Sequence, residues 1–359
     1  MALLELLRRL DAVEGPSGAE EPVIEAVLQE LDGCYDGEPH RDALGSLVVT
    51  RGGAEGAPTL LLAAHVDELG FLVQHVDEEG FLRLVPVGYH DERIAANQVV
   101  HVHGERGPVR GVIATTPFHL LSAADREAAI HLSDLFVDVG ATSAAEAEAL
   151  GVRVGHHAVV ERTGELLNGT KVYSGRAVDD RAGCAVVVEL LQRLRGRELP
   201  VTVQAAFTVL EELGVRGAGP VGAALQPDCA LAVDVTLCAD VPGVEFHRAP
   251  IRFGGGPCIK YWDFVSGSGN GSAVPRRLTE RLEQAAQAAG VEWQREVLHG
   301  GVTDAAAIAR SGHGVLAGAV SIPSRYVHSS VGTVHLDDLE GAVALLEAFV
   351  GRAGWLRGT

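Results

Sequence analysis

Three stretches of the chain are apolar almost without interruption: Thr59–Ala64 (TLLLAA), Val201–Val209 (VTVQAAFTV) and Ala230–Val235 (ALAVDV). A strand covered on both faces has no polar side to show, so each run predicts a core strand of a mostly parallel sheet. Elsewhere the period becomes helical. Over Asp180–Leu194 the residues Val186, Val187, Leu190, Leu191 and Leu194 form one apolar stripe, and Pro275–Ala289 and Leu336–Ala348 predict further helices. A short amphipathic helix opens the chain, with Leu3, Leu4, Leu6, Leu7 and Leu10 interrupted by Glu5, Arg8 and Arg9. Alternation of strand runs and helical patterns places the chain in the α/β class, with helices flanking a central sheet.

From about Leu72 to Gly164 the texture differs. Short alternating segments such as GFLRLVPVGYH, VVHVHGERGPVRGVIAT and LFVDVGATS are separated by Gly and charged turns, and Ser143–Leu150 adds one short helix. This predicts a small β-rich domain, residues 72–164, inserted into a discontinuous α/β domain made of 1–71 and 165–359. The run Ser266–Ser272 (SGSGNGS) reads as a flexible loop.

Composition narrows the function classes. The 359 residues are 47% hydrophobic and 5% aromatic, which is a globular balance, and the formal net charge of −19 repels a nucleic-acid backbone or an anionic membrane surface. The same charge favours a ligand with a positive end, such as the free amine of a peptide. No uninterrupted apolar region of the secretory or membrane-spanning kind is present. The five cysteines are scattered and never paired as C-x-x-C, which suggests neither a disulfide framework nor a thiolate metal site and points to a reducing cytoplasm.

Candidate chemistry lies where strands end. The first core run leads into His65 and Asp67, the second into Glu211-Glu212, the third into Asp234; SGRAV leads into Asp179-Asp180 and VSIPSRYV into His328. Ligands in open α/β sheets gather beyond the carboxyl ends of the strands. Taken singly, each feature has an ordinary reading: a lone hydrogen-bonded histidine, an Asp N-cap, a solvated strand end. Taken together they crowd carboxylates at one sheet edge, which is costly unless cations neutralise them. Histidine mixed with carboxylate and no cysteine suits zinc, cobalt or manganese rather than calcium or magnesium. Two histidines and three acids exceed the needs of one tetrahedral zinc and fit two metals. Asp67 is placed to accept the other ring N–H of His65. Adjacent Glu211 and Glu212 can share a site only if regular pairing has ended, and Gly214 is consistent with such a turn.

The segments AHVDELGFLV, GRAVDDRAG, VLEELGVRGA, VDVT, GGVTDAAAIA and SIPSRYVHS resemble, in order and over nearly the whole chain, the M42 aminopeptidases, metallopeptidases related to the tetrahedral (TET) assemblies. The resemblance implies His65 and Asp234 on different metals, Asp179 rather than Asp180 bridging them, Glu212 and His328 completing the two sites, and Glu211 as general base. It also implies a PDZ-like or barrel-like insertion used in dimerisation, dimers assembling into a dodecamer, and short peptides as substrates. The family's usual GGTDA stands here as Gly300-Gly301-Val302-Thr303-Asp304-Ala305. An M20-type metallopeptidase or deacylase shares the ligand logic, but there the lid follows the Glu pair. A two-carboxylate glycosidase would want aromatic platforms, and no aromatic cluster surrounds Glu211. A non-enzymatic peptide-binding scaffold would hold no divalent metal.

Overall fold

The apolar runs become the middle of a 12-stranded sheet in this computed structural model, which describes residues 2–124, 126–266 and 269–357. Strand Thr59–His65 lies between Thr202–Thr208 and Cys229–Leu237 and runs parallel to both. Cys229–Leu237 pairs in parallel with Ala317–Arg325 in turn. The flanks are antiparallel: Leu47–Arg51 against Thr202–Thr208, and Gly332–His335 against Ala317–Arg325 and Val172–Gly175. The sheet is therefore mixed, with parallel strands at its centre, where burial on both faces permits continuous apolar sequence.

Helices cover both faces of this sheet. On one, Ala2–Asp11, Glu21–Glu30, Val178–Leu194, Arg276–Ala289 and Leu336–Arg352 pack over a core that includes Leu7, Ile24, Leu60, Leu62, Val187, Leu191 and Phe207. On the other, Ala218–Leu225 and Asp304–Ala309 cover Leu61, Ala63, Ala206, Ala230 and Ala319. Small residues on that second face let the two short helices approach closely.

The chain divides into two compact units: Met1–Asp67, Gly164–Val327 and Val331–Thr359 form the α/β unit, and Glu68–Thr163 with His328–Ser330 forms the second. The second is a closed barrel in the order Gly70–Val76, Leu82–Val87, Phe136–Asp138, Gly107–Ala114, Val99–Gly104, His157–Val160. Closure leaves no unpaired strand edge. Alternation fills the interior: Val100 and Val102 are buried while His101 and His103 between and beyond them are half-buried. Its helix Ala144–Ala149 starts at Ser143, whose hydroxyl accepts the Glu146 N–H.

The expected loop Ser266–Ser272 needs correction. Gly267 and Ser268 lie outside the described residues, but Asn270–Ala273 is a strand paired antiparallel with Cys258–Val265, from Val265↔Asn270 to Trp262↔Ala273. Glycine and serine hide this strand because they lack the apolar alternation that marks one, and Ser272 is held to the partner strand by hydrogen bonds to the Asp263 carboxylate. Gly271 also has a packing reason, since a Cβ there would stand 2.5 Å from the Asp263 carbonyl oxygen. All five cysteines are buried and unbridged. Among the described residues no helix is long and apolar enough to cross a membrane.

Candidate metal centre

The parallel pairing sets His65 opposite Thr208. The neighbouring strand matches Ala232 to Ala63, so the same register carried two residues on brings Asp234 level with His65. Asp234 is itself paired with the buried Ser321. Four adjacent strands therefore present side chains in one row, and the helix Val178–Leu194 adds Asp179 to it. His65 Nε2 stands 3.0 Å from Asp179 Oδ1 and 3.9 Å from Asp234 Oδ1. One potential ligand atom from each of the three lies within 4.8 Å of the others.

Asp179 and Asp180 have different tasks in this geometry. Both have non-helical backbone angles at the head of their helix, and the peptide between them is cis. The Asp180 carboxylate turns back to accept the Gly183 N–H at 2.9 Å, as an N-cap does. Gly183 is required there, because a Cβ would fall 2.3 Å from Asp180 Oδ2 and 2.4 Å from the Val233 carbonyl. Asp179 is left facing His65.

Beyond Thr208 regular pairing stops, and Leu210 takes a positive φ of 59°. The chain then turns so that Glu211 and Glu212 donate their backbone N–H groups to Asp67, at 3.0 Å to Oδ1 and 3.1 Å to Oδ2. Gly214, at φ 103°, closes the turn by donating to the Glu211 carbonyl at 2.7 Å. A carboxylate oxygen of Glu212 lies within 4.8 Å of one of Asp179. His328 is counted with the barrel unit, where its Nδ1 meets the Tyr89 carbonyl at 2.9 Å at a positive φ of 58°.

The hydrogen bonds orient the imidazole. A carbonyl only accepts, so Nδ1 of His65, 3.0 Å from the Asp67 backbone oxygen, carries a proton, and Nε2 faces the Asp179 carboxylate. The Asp67 carboxylate stands further from that ring, at 3.5 Å, and accepts the two glutamate N–H groups and the Ser17 hydroxyl at 2.7 Å. Orientation of His65 thus comes chiefly from the Asp67 main chain.

Charge is strongly concentrated here. Burial, then the neighbouring Asp179, pushes the Asp234 carboxyl up to about 7. Burial and the proximity of Asp234 hold Asp180 well above the carboxylate range, and burial, then Glu212, does the same to Glu211. Burial opposes the charged form of His65, yet hydrogen bonds to Asp179 and Asp67 raise it well above an ordinary imidazole. A crowd of carboxyls that resists ionisation, gathered on one imidazole, has the donor set and the charge balance that divalent cations fit.

Several residues at this edge carry no sign in the spacing of acids and histidines. Asp304, 3% exposed, accepts the Thr208 hydroxyl at 2.5 Å, and burial lifts it to about 6. Lys260 is fully buried and ion-paired with Glu296 at 3.3 Å, and Glu296 also accepts the Thr236 hydroxyl, two residues beyond Asp234 on the same strand face. Lys260 and Asp263 do interrupt an otherwise apolar strand, and that interruption is a readable signal. Ser17 and Glu20, between the first two helices, have none.

Comparison with known proteins places these features in a family context. The sequence profile described as M42 glutamyl aminopeptidase matches residues 45–345. The glutamyl aminopeptidase of Lactococcus lactis subsp. cremoris is 31% identical over 360 residues, covering 98% of this chain and 96% of that protein. An aminopeptidase from the archaeon Desulfurococcus kamchatkensis superposes with a TM-score of 0.93 at 37% identity, over 99% of this chain and 97% of its own. The TET1 peptidase of Pyrococcus horikoshii, which can assemble into a tetrahedron or a large octahedral shell, superposes with a TM-score of 0.85 at 35% identity, over 97% and 99% of the two chains.

Proposed function

The chain belongs to the M42 glutamyl aminopeptidase family and is a peptide hydrolase, an aminopeptidase, and on that premise we propose that it removes N-terminal residues from short peptides at a dinuclear metal site. The observation that carries this reading is the cluster of His65, Asp179 and Asp234, whose ligand atoms lie within 4.8 Å of one another among crowded buried carboxyls. His65, Asp179, Asp234, Glu212 and His328 are the residues that would hold the two cations. Two cations of zinc, cobalt or manganese would polarise the scissile carbonyl and acidify the attacking water.

The chain's own residues do the rest. Glu211 takes the proton of the attacking water and passes it to the departing amine nitrogen. Asp67 holds the glutamate turn through two backbone N–H groups and the His65 ring through its own carbonyl, so one residue sets the base relative to the first ligand. The acidic surface draws substrates whose α-amino end is positive. The barrel unit carries dimer contacts, dimers build a dodecamer, and the protein works in the cytoplasm.

Reconstitution tests this reading. Chelated protein resupplied separately with zinc, cobalt or manganese should regain hydrolysis of aminoacyl chromogenic substrates as metal content reaches two per subunit, while light scattering reports the assembly. Activity that survived exhaustive chelation, or saturation at one metal per subunit, would overturn it.

A further inference from the structure

Three consecutive backbone N–H groups lead into the acidic pair, and each is accepted by a buried carboxylate from a distant part of the chain. Leu210 donates to Glu20 Oε1 at 3.3 Å, Glu211 to Asp67 Oδ1 at 3.0 Å and Glu212 to Asp67 Oδ2 at 3.1 Å. Glu20 Oε1 also accepts the Gly18 N–H at 2.8 Å, and Ser17 Oγ donates to Asp67 Oδ2 at 2.7 Å. Ser17 and Glu20 are 3% and 6% exposed. The segment between the first two helices therefore holds both carboxylates that hold the turn.

The simplest use of an acid at the start of a helix is to cap it. Glu20 does not: it occupies the position before Glu21–Glu30 and makes no side-chain capping bond. Its carboxylate points instead at a turn whose first residue, Leu210, sits at φ 59°, a conformation that a non-glycine residue keeps only when its surroundings impose it. Bringing Glu20 beside Asp67 also opposes like charges: burial, and then Asp67, hold Glu20 above its ordinary range although the Gly18 and Leu210 N–H groups pull it down. Such an arrangement is uneconomical for stability and effective for fixing a turn.

We propose that Ser17 and Glu20 are positioning residues of the hydrolytic site, which with Asp67 lock the Leu210–Glu212 turn so that the Glu211 carboxylate is presented to the attacking water. The inference rests on Glu211 being the base. Metal-reconstituted Glu20→Ala should lose kcat on the order of 10- to 100-fold, the scale of a misplaced catalytic group, with KM and metal content unchanged. Glu20→Gln keeps an oxygen that accepts the same N–H groups and should restore most of the loss. Hydrogen exchange of the peptide covering 208–214, measured without substrate, should quicken in Glu20→Ala and not in Glu20→Gln.

Full kcat in Glu20→Ala at full metal content, or equal impairment of the Ala and Gln variants, overturns the proposal. If Glu20→Ala does not fold, Ser17→Ala carries the test through the same kcat and exchange readouts, and wild-type behaviour in both overturns it. Glu211→Gln separates the two ideas: if that variant is active the base assignment fails, and the clamp then stands or falls on the exchange measurement.

Discussion

The barrel unit closes over Phe71, Val73, Leu82, Val100, Val102 and Val137, and among the described residues Glu68 is the polar side chain it buries, whereas the α/β unit buries His65, Asp67, Asp180, Arg181, Asp234, Lys260, Asp263, Glu296, Asp304 and Asp338. Both units have apolar cores of ordinary composition. They differ in what else has been taken out of water. Buried charge is costly, so its concentration in the α/β unit marks where stability has been given up for chemistry. The barrel is built as a scaffold is built, by alternation and closure.

That contrast can be broken at either end. Glu211→Gln should lower kcat by roughly 100- to 10,000-fold with metal content unchanged, measured on reconstituted enzyme; retention of most activity would remove Glu211 from the mechanism. In the barrel, Phe71→Ala should cost about 3–5 kcal/mol, read as faster native-state hydrogen exchange across Val99–Gly104 and Gly107–Ala114. Phe71 is 1% exposed and stacks on His90 at 4.5 Å, so a loss under about 1 kcal/mol would mean the barrel core is not what holds that unit.

The pH dependence sharpens the comparison. In metal-free protein Asp234 and Asp304 are raised to about 7 and about 6 by burial. Groups raised in the folded state give their full contribution at low pH and lose it as pH climbs through those values, because the unfolded chain ionises first. Chelated protein should therefore melt progressively lower between about pH 4 and about pH 7. Metal-loaded protein should not follow, since bound cations favour the ionised carboxylates. A chelated melting temperature that is flat or rises over that window would show the carboxyls are already compensated. The smallest effect is expected for Asp234→Asn, which should raise the stability of chelated protein at pH 8 by on the order of 1–2 kcal/mol while weakening metal uptake, measured by denaturation and metal titration; destabilisation would show that Asp234 is not a strained charge.

Much of the fold is readable because burial on two faces writes itself into sequence. Thr59–His65, Thr202–Thr208 and Cys229–Leu237 follow their apolar runs closely, and the helix Val178–Leu194 follows its stripe. Short strands do not announce themselves. Leu47–Arg51 and Gly332–His335 are five and four residues long and pair with strands far away in sequence, and Asn270–Ala273 has no apolar side chain before its last residue. Closure of the barrel is similarly hidden, since it joins Phe71 to Ala158.

At the candidate site the sequence supplies the residue types and the order of the strand ends, because a His or an acid that follows an apolar run must emerge at the sheet's edge. Whether Asp179 or Asp180 faces His65 is decided by Gly183 and the Val233 carbonyl, which leave room for the Asp180 carboxylate only as a cap. The direction of the Glu211-Glu212 turn is decided by Glu20 and Asp67, 190 and 144 residues distant from the groups they accept. Local pattern records what a segment buries; which carboxylate meets which N–H is fixed only when separate segments pack together, and that choice belongs to the tertiary structure.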